Sequence, residues 1–433
     1  MTAPSSLLLV VVPVLGATVG LAMRGKPEAL KGWLLFVTVA TLGAVVWFAG
    51  TSAAKAGVMP LLALLPLAAF ASLLGQSSNR RLCAAWLLTL PLLGLGLGVL
   101  ASEAPLSPAF LMLLLAVMGL MLFHYRHQAG FDARWGIGTV GLGMLGVAVA
   151  MTTAPPVSSI ALAVACAIGL PLVPFHASYV AALTRLPGNL PAFLALLLPV
   201  SGFHGLLTVL PQFPNAPAEA VTILALGTMV YGSLKALTQS HAASVTAYGG
   251  VAFSSILWWY LATTGTATPQ TAVYVSAVGL ATSGLLLAWY ALRARYGDIG
   301  FRALSGLADP MPRFAIALSL LALAALGLPP FGVFSGFLGM LLAPSFTWSG
   351  GLVVILIAWL AASWYVFDLA QELLFGLQRP EHRYYDLRPH ELASLAIVLV
   401  LLVALGVIPS RVFRPEPANL HRTVGMEVPA WIK

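Results

Sequence analysis

The stretch "GLPLVPFHASYVAALTRLPGNLPAFLALLLP", Gly169 to Pro199, sets five prolines, a histidine and an arginine into a strongly apolar part of the chain. Proline removes a backbone donor and its ring clashes with the preceding helical turn. In a bilayer such an interruption is tolerated only where neighbouring groups satisfy the freed backbone. The stretch therefore predicts a membrane helix that breaks inside a protein surround.

Composition points the same way. Of 433 residues, 60% are hydrophobic and 8% charged, against roughly 25% charged in a soluble domain. So little charge cannot give a chain of this length a water-facing surface, and an all-α polytopic membrane protein is expected. Met1–Ala22 has no basic start and no small-residue cleavage site, so it reads as a first membrane helix rather than a removed leader. Cys83 and Cys166 lie far apart in apolar surroundings and read as buried thiols. No phosphate loop, dinucleotide fingerprint, nucleophile elbow or metal spacing is present, so no cofactor and no nucleic-acid partner is expected.

About fourteen apolar segments fit a span of roughly 20 residues: 5–22, 31–50, 57–75, 82–101, 107–125, 134–153, 157–175, 190–211, 218–238, 242–264, 270–293, 312–342, 349–376 and 389–410. The basic residues test this division. Sixteen of the 21 lie in or beside the loops after odd-numbered segments: Arg24, Lys26, Lys31, Arg80, Arg81, Arg126, Arg134, Arg185, Lys235, Arg293, Arg295, Arg302, Arg313, Arg379, Arg383 and Arg388. Only Lys55 follows an even-numbered one, and Arg411, Arg414, Arg422 and Lys433 form the tail. Positive charge collects on the cytoplasmic side. The split therefore predicts both termini on the non-cytoplasmic side of a cell inner membrane. A miscount of one segment would scramble the parity.

The seventh and twelfth segments echo one another, with "GLPLVPF" at Gly169–Phe175 and "GLPPFGVF" at Gly327–Phe334. Broken helices at matching places point to inverted repeats, although two unrelated proline kinks would give the same pattern. On the repeat reading, residues 1–81 hold helices 1–3. Residues 82–211 and 218–376 are two inverted five-helix units with broken helices 7 and 12. Residues 377–433 hold the last helix and the tail.

These segments resemble a known family. "GLPLVPFHASYVAAL" resembles the broken helix 7 and following lateral segment of the antiporter-like subunits of respiratory complex I. "LLLPVSGFHGLLTVLPQFP" resembles their helix 8, "YGSLKALTQSHAASVTAYGGV" the start of the next helix, "MPRFAIALSLLALAALGLPPFGVFSGFLGML" broken helix 12, and "LRPHELASLAIVLVLLVALGVIPS" the last core helix. The family includes subunits of multisubunit cation/proton antiporters, membrane-bound hydrogenases and inorganic-carbon-accumulating complexes. The match runs in order over about residues 105–415. It implies fourteen core helices and other membrane subunits as partners.

In the family, protons pass along buried ionisable groups near the bilayer midplane. The residue types suit the task, because a buried lysine shifts its pKa readily and a carboxylate partner stabilises its charged form. Carried over residue by residue, those positions are vacant here. The helix 5 glutamate has no counterpart in "SPAFLMLLLAVMGLMLFHY". The helix 7 lysine falls on Gly169, the helix 8 lysine on Val200, and the helix 12 lysine or glutamate on Phe337; a further basic position falls near Ala243 and Ser244. The interruption is kept and the charge it serves is gone.

The remaining polar residues each carry two readings. His176 and His204 are proton relays, or a cap at the half-helix end and a hydrogen-bonded core histidine respectively. Lys235 is a path residue or a lysine reaching to the interface. His241, beside Gln239, is a path residue or a polar interfacial residue at the start of helix 10. Asp368 and Glu372, four apart on one helix face, bind a cation, pair with a neighbouring subunit, or form a solvated helix end. Glu391 is a path residue, or it only opens helix 14, where an acid suits the positive end of the helix dipole.

Three functions stand. The first is a membrane subunit of a complex I-like (NADH:quinone oxidoreductase) or antiporter-type assembly in proton or cation translocation, its proton path lost or rerouted. The second is a non-conducting structural subunit of such an assembly. The third is a membrane component of a hydrogenase or inorganic-carbon uptake complex. No nucleophile–base pair supports enzyme chemistry on this chain itself.

Overall fold

The computed structural model describes residues 3–51, 58–77, 79–128, 130–212, 215–297, 300–376 and 385–408. Lys55, Arg379, Arg383 and the four basic tail residues lie outside them. Among the described residues there is no strand. Sixteen α-helices follow in order: α1 Ala3–Leu21, α2 Pro27–Thr51, α3 Met59–Leu74, α4 Cys83–Ala101, α5 Leu106–His124, α6 Ala133–Thr152, α7 Val157–Gly169, α8 Ala177–Arg185, α9 Leu190–Val209, α10 Asn215–Leu237, α11 Ala242–Thr264, α12 Pro269–Tyr296, α13 Pro312–Ala325, α14 Gly332–Leu341, α15 Gly350–Leu374 and α16 Pro389–Val407.

Nine of these helices are long and apolar enough to cross a bilayer, and α1, α3, α7, α13 and α14 are shorter apolar helices. The twelfth expected span, 312–342, is in two pieces, α13 and α14. The seventh, 157–175, holds only α7 and the break, and its second piece, α8, lies beyond the expected bound because the chain turns helical again only after Pro174. The tenth, α11, is not among the nine. It carries Thr246, Ser254 and Ser255, all buried against protein, so its environment is other helices rather than lipid.

Burial sorts the helices into layers. α12 is buried along its whole apolar stretch and α4 and α9 over 83% of theirs, whereas α2, α5, α6, α10, α15 and α16 bury only 28–39%. The first group is the centre and the second the rim. The rim presents Phe36, Leu120, Trp135, Ile223, Leu360 and Val400, each more than 60% exposed. A continuous apolar rim of this kind has lipid as its solvent.

Three helices distant in sequence are tied together at the C-terminal end of α3. Ser394 of α16 donates to Ala71 O at 2.6 Å, and Lys31 Nζ of α2 donates to Leu74 O at 3.0 Å. Ser72 and Asn189 exchange side-chain to backbone bonds of 2.8 and 3.2 Å. Exposed helix-end carbonyls need such donors, so this one helix end gathers α2, α9 and α16.

Candidate functional site

The two breaks form the centre of the candidate site, and their backbones follow one pattern. In the first, Leu172 N donates to Ala167 O at 3.1 Å and Phe175 N to Leu172 O at 2.6 Å. In the second, Leu328 N donates to Leu323 O at 3.1 Å and Phe331 N to Leu328 O at 3.2 Å. Every member of the second set lies 156 positions after its counterpart. Aligning the two Gly-Leu-Pro triplets gives a different offset, 158. The physical register is therefore set by the second proline of each segment, Pro174 and Pro330.

That proline leaves one carbonyl without its helical donor. The N–H four residues after Leu170 belongs to Pro174, and four after Leu326 to Pro330, and neither exists. In both breaks an indole replaces it. Trp258 Nε1 of α11 donates to Leu170 O at 3.0 Å, and Trp359 Nε1 of α15 donates to Leu326 O at 3.0 Å. Val173 N, freed in the first break, is taken by Thr228 Oγ1 of α10 at 3.1 Å.

The positions matched to family charges are built into packing. A Cβ on Gly169 would stand 2.8 Å from Leu198 O, and one on Gly202 of α9 would stand 2.4 Å from Leu170 N. α7 and α9 thus meet backbone to backbone. Val200 is fully buried in the same helix. Phe337 of α14 has its ring 4.7 Å from that of Trp359 and 6.4 Å from that of Tyr274.

The other candidate residues are scattered. His176 precedes α8, buried, with its ring 5.3 Å from Tyr231 and 6.3 Å from Tyr248. Tyr248 in turn lines a cavity of about 280 Å³ with Gln239, His241, Thr184 and Arg293. His241 precedes α11, its Nδ1 3.1 Å from Ser240 Oγ. His204 is half-buried on α9, and Lys235 is exposed near the end of α10. Asp368 lies 3.6 Å from Arg302 of the same chain, with Glu372 one turn further along α15. Among the described residues, no three acidic, histidine or cysteine side chains gather as a metal site.

Glu391 is buried in the first turn of α16. Its carboxylate accepts from Arg388 N at 2.8 Å and is ion-paired with Arg295 of α12. It borders a second cavity, of about 250 Å³, that Arg185, Asn189 and Arg293 also line.

Sequence reasoning did not single out Trp258, Trp359, Tyr231 or Tyr248. A signal existed for the tryptophans, because a buried indole N–H finds a partner and each break offers an unserved carbonyl. Which tryptophan reaches which break depends on the packing of α11 and α15.

Residues 106–363, more than half of the chain, match the family described as NADH:quinone oxidoreductase/Mrp antiporter, TM. NADH-quinone oxidoreductase subunit M of Rickettsia prowazekii is 28% identical over 262 residues, covering 58% of this chain and 53% of that protein. F(420)H(2) dehydrogenase subunit M of Methanosarcina mazei is 27% identical over 254 residues, covering 56% and 50%. The chain spans about half the length of the curated relatives it matches. Among solved structures, a chain of respiratory complex I from Thermus thermophilus with bound NADH superposes with a TM-score of 0.78 at 20% identity, covering 95% of this chain and 97% of that one. A chain of the Mrp complex from Dietzia sp. superposes with a TM-score of 0.74 at 16% identity, covering 96% and 98%. The fold with its two broken helices and the family match over residues 106–363 agree: the chain belongs to the NADH:quinone oxidoreductase/Mrp antiporter membrane family.

Proposed function

We propose that this chain is an antiporter-like membrane subunit of a complex I-like assembly that translocates protons or cations, and that its own proton path is lost. The observation that carries this reading is the contact of Gly169 with α9. With a Cβ already 2.8 Å from a backbone oxygen, no lysine side chain has room to leave α7 there. The relatives named above are subunits of NADH-quinone and F(420)H(2) dehydrogenases, which supports a multisubunit redox-linked setting with other membrane subunits as partners. The basic-residue bias supports an inner-membrane location with both termini on the non-cytoplasmic side. The shared pattern at the two breaks supports residues 82–211 and 218–376 as inverted units.

A rerouted path is the second reading, favoured by His176 beside Tyr231 and Tyr248, of which Tyr248 lines the 280 Å³ cavity. One experiment separates the two. The purified assembly is reconstituted in liposomes and its proton uptake compared with that of assemblies carrying His176→Ala, His204→Ala with Lys235→Ala, and Tyr248→Phe. The proposed reading expects unchanged uptake per turnover in all three. A severalfold loss in His176→Ala and Tyr248→Phe together establishes the rerouted path instead.

A further inference from the structure

We propose that Trp258 and Trp359 are paired clamps that hold both broken helices shut against water. The need is the same in each break: one carbonyl whose helical donor is a proline, buried at Leu170 and part-buried at Leu326. The two donors come from helices in unlike places. Trp258 lies on α11 and reaches back to α7, while Trp359 lies on α15 and reaches the neighbouring α13. Two unrelated positions supplying one donor type to equivalent carbonyls point to the demand of the carbonyl as the cause. A small polar side chain or a water molecule would satisfy that carbonyl too, but an indole does so while filling the space with an apolar ring.

The ring surfaces carry the rest. Trp258 is 2% exposed. Trp359 sits between Phe253 of α11, at 4.9 Å and nearly perpendicular, and Phe337 of α14, at 4.7 Å. Phe253 and Trp258 share α11, so this helix touches both breaks, one directly and one through Trp359. Phe337, the position matched to a family charge, is part of the second clamp. The inference deepens the proposed function and rests on it in one respect: a break that is not a conduit has no need to open.

Cys166 is a built-in reporter of the first break, because it is fully buried and its carbonyl accepts from Leu170 N at 2.8 Å. In full-length protein in native membranes, carrying Cys83→Ser, labelling of Cys166 by a small water-soluble thiol reagent is timed with and without Trp258→Phe. For the second break the pair is Trp359→Phe with Ala324→Cys as reporter and Cys83→Ser with Cys166→Ser as background. Phenylalanine keeps a ring and removes only the donor, so each reporter is expected to label about tenfold faster, or about 1.4 kcal/mol, when its own clamp is changed. Labelling at the parent rate at either break overturns the proposal. If Trp258→Phe is not recovered folded, Trp258→His, which keeps an N–H, is compared with it. Recovery of the histidine variant alone supports the donor role, and equal loss of both overturns it. Ion uptake is not read in this assay, so the clamps and the proposed function can each fail alone.

Discussion

Gly169 of α7 and Gly202 of α9 meet so closely that a Cβ on the first would stand 3.3 Å from the Cα of the second. Small residues let membrane helices approach to backbone distance and gain van der Waals packing over the whole crossing. The contact makes a seam of the position that the resemblance matches to a family charge.

Restoring the charge should therefore fail. Gly169→Lys is expected to abolish folded protein in membranes. Gly202→Ala, whose Cβ would lie 2.4 Å from Leu170 N, should cost about 1–3 kcal/mol by overpacking, read as an earlier thermal unfolding in detergent. A Gly169→Lys protein with parental unfolding would show that the seam opens and would remove the main support for the proposed function.

Arg295 and Glu391 form an ion pair that is 12% and 6% exposed. Removing one member of such a pair leaves an unpaired charge in a poor solvent, at about 3–5 kcal/mol. Arg295→Ala is thus expected to unfold much earlier than the parent, and Glu391→Ala likewise. The double variant Arg295→Met with Glu391→Leu should recover most of the loss, short of the Arg388 N bond that Glu391 accepts. Thermal unfolding of the three proteins checks this, and additive losses in the double variant would show that the pair is not a unit.

Much of this architecture is legible in the sequence, and for identifiable reasons. Five prolines in 169–199 announce a break because proline acts locally, on its own turn. The one-sided placement of Arg and Lys outlines the segments because charge is scarce here. Gly169, Val200 and Phe337 are proposed from motif spacing alone, and the structure adds only that they sit in packed surroundings. The register of the two breaks is not: Gly-Leu-Pro is the stronger string, yet the hydrogen bonds follow Pro174 and Pro330, two residues off. Partnerships are also hidden. Nothing near Glu391 in sequence names Arg295, and nothing near Asp368 names Arg302, because these pairs form between helices. Trp258 reads as one more apolar residue until α11 is laid against α7.

Arg185 makes a further prediction. Its guanidinium donates to the carbonyls of Arg126 at 2.8 Å and Gly130 at 3.1 Å, and also to those of Gln128 and Phe131. It gathers the connection between α5 and α6 onto the end of α8. Lysine offers one point charge where arginine offers a rigid fork, so Arg185→Lys should behave nearly as Arg185→Ala. Both are expected to raise protease cleavage between residues 125 and 132 about tenfold, a change of about 1.4 kcal/mol in local opening. Parental cleavage in the lysine variant would mean that charge alone holds the segment.

Gly327 and Trp359 should be energetically coupled. Gly327 has φ of +72°, and a Cβ there would lie 2.5 Å from Trp359 Cζ2. Gly327→Ala therefore meets two penalties, a left-handed backbone with a side chain, about 1 kcal/mol, and a clash with a ring edge that has Phe253 and Phe337 against it. Trp359→Phe removes the clashing atom but forfeits the bond to Leu326 O. Adding Gly327→Ala to Trp359→Phe should then cost only the backbone penalty. The cycle is expected to show about 1–2 kcal/mol of favourable interaction between the two changes, within the range for residues in contact. Unfolding of parent, both single variants and the double variant measures it. Strict additivity would mean that the indole shifts freely at the second break, and a ring free to shift is a poor clamp.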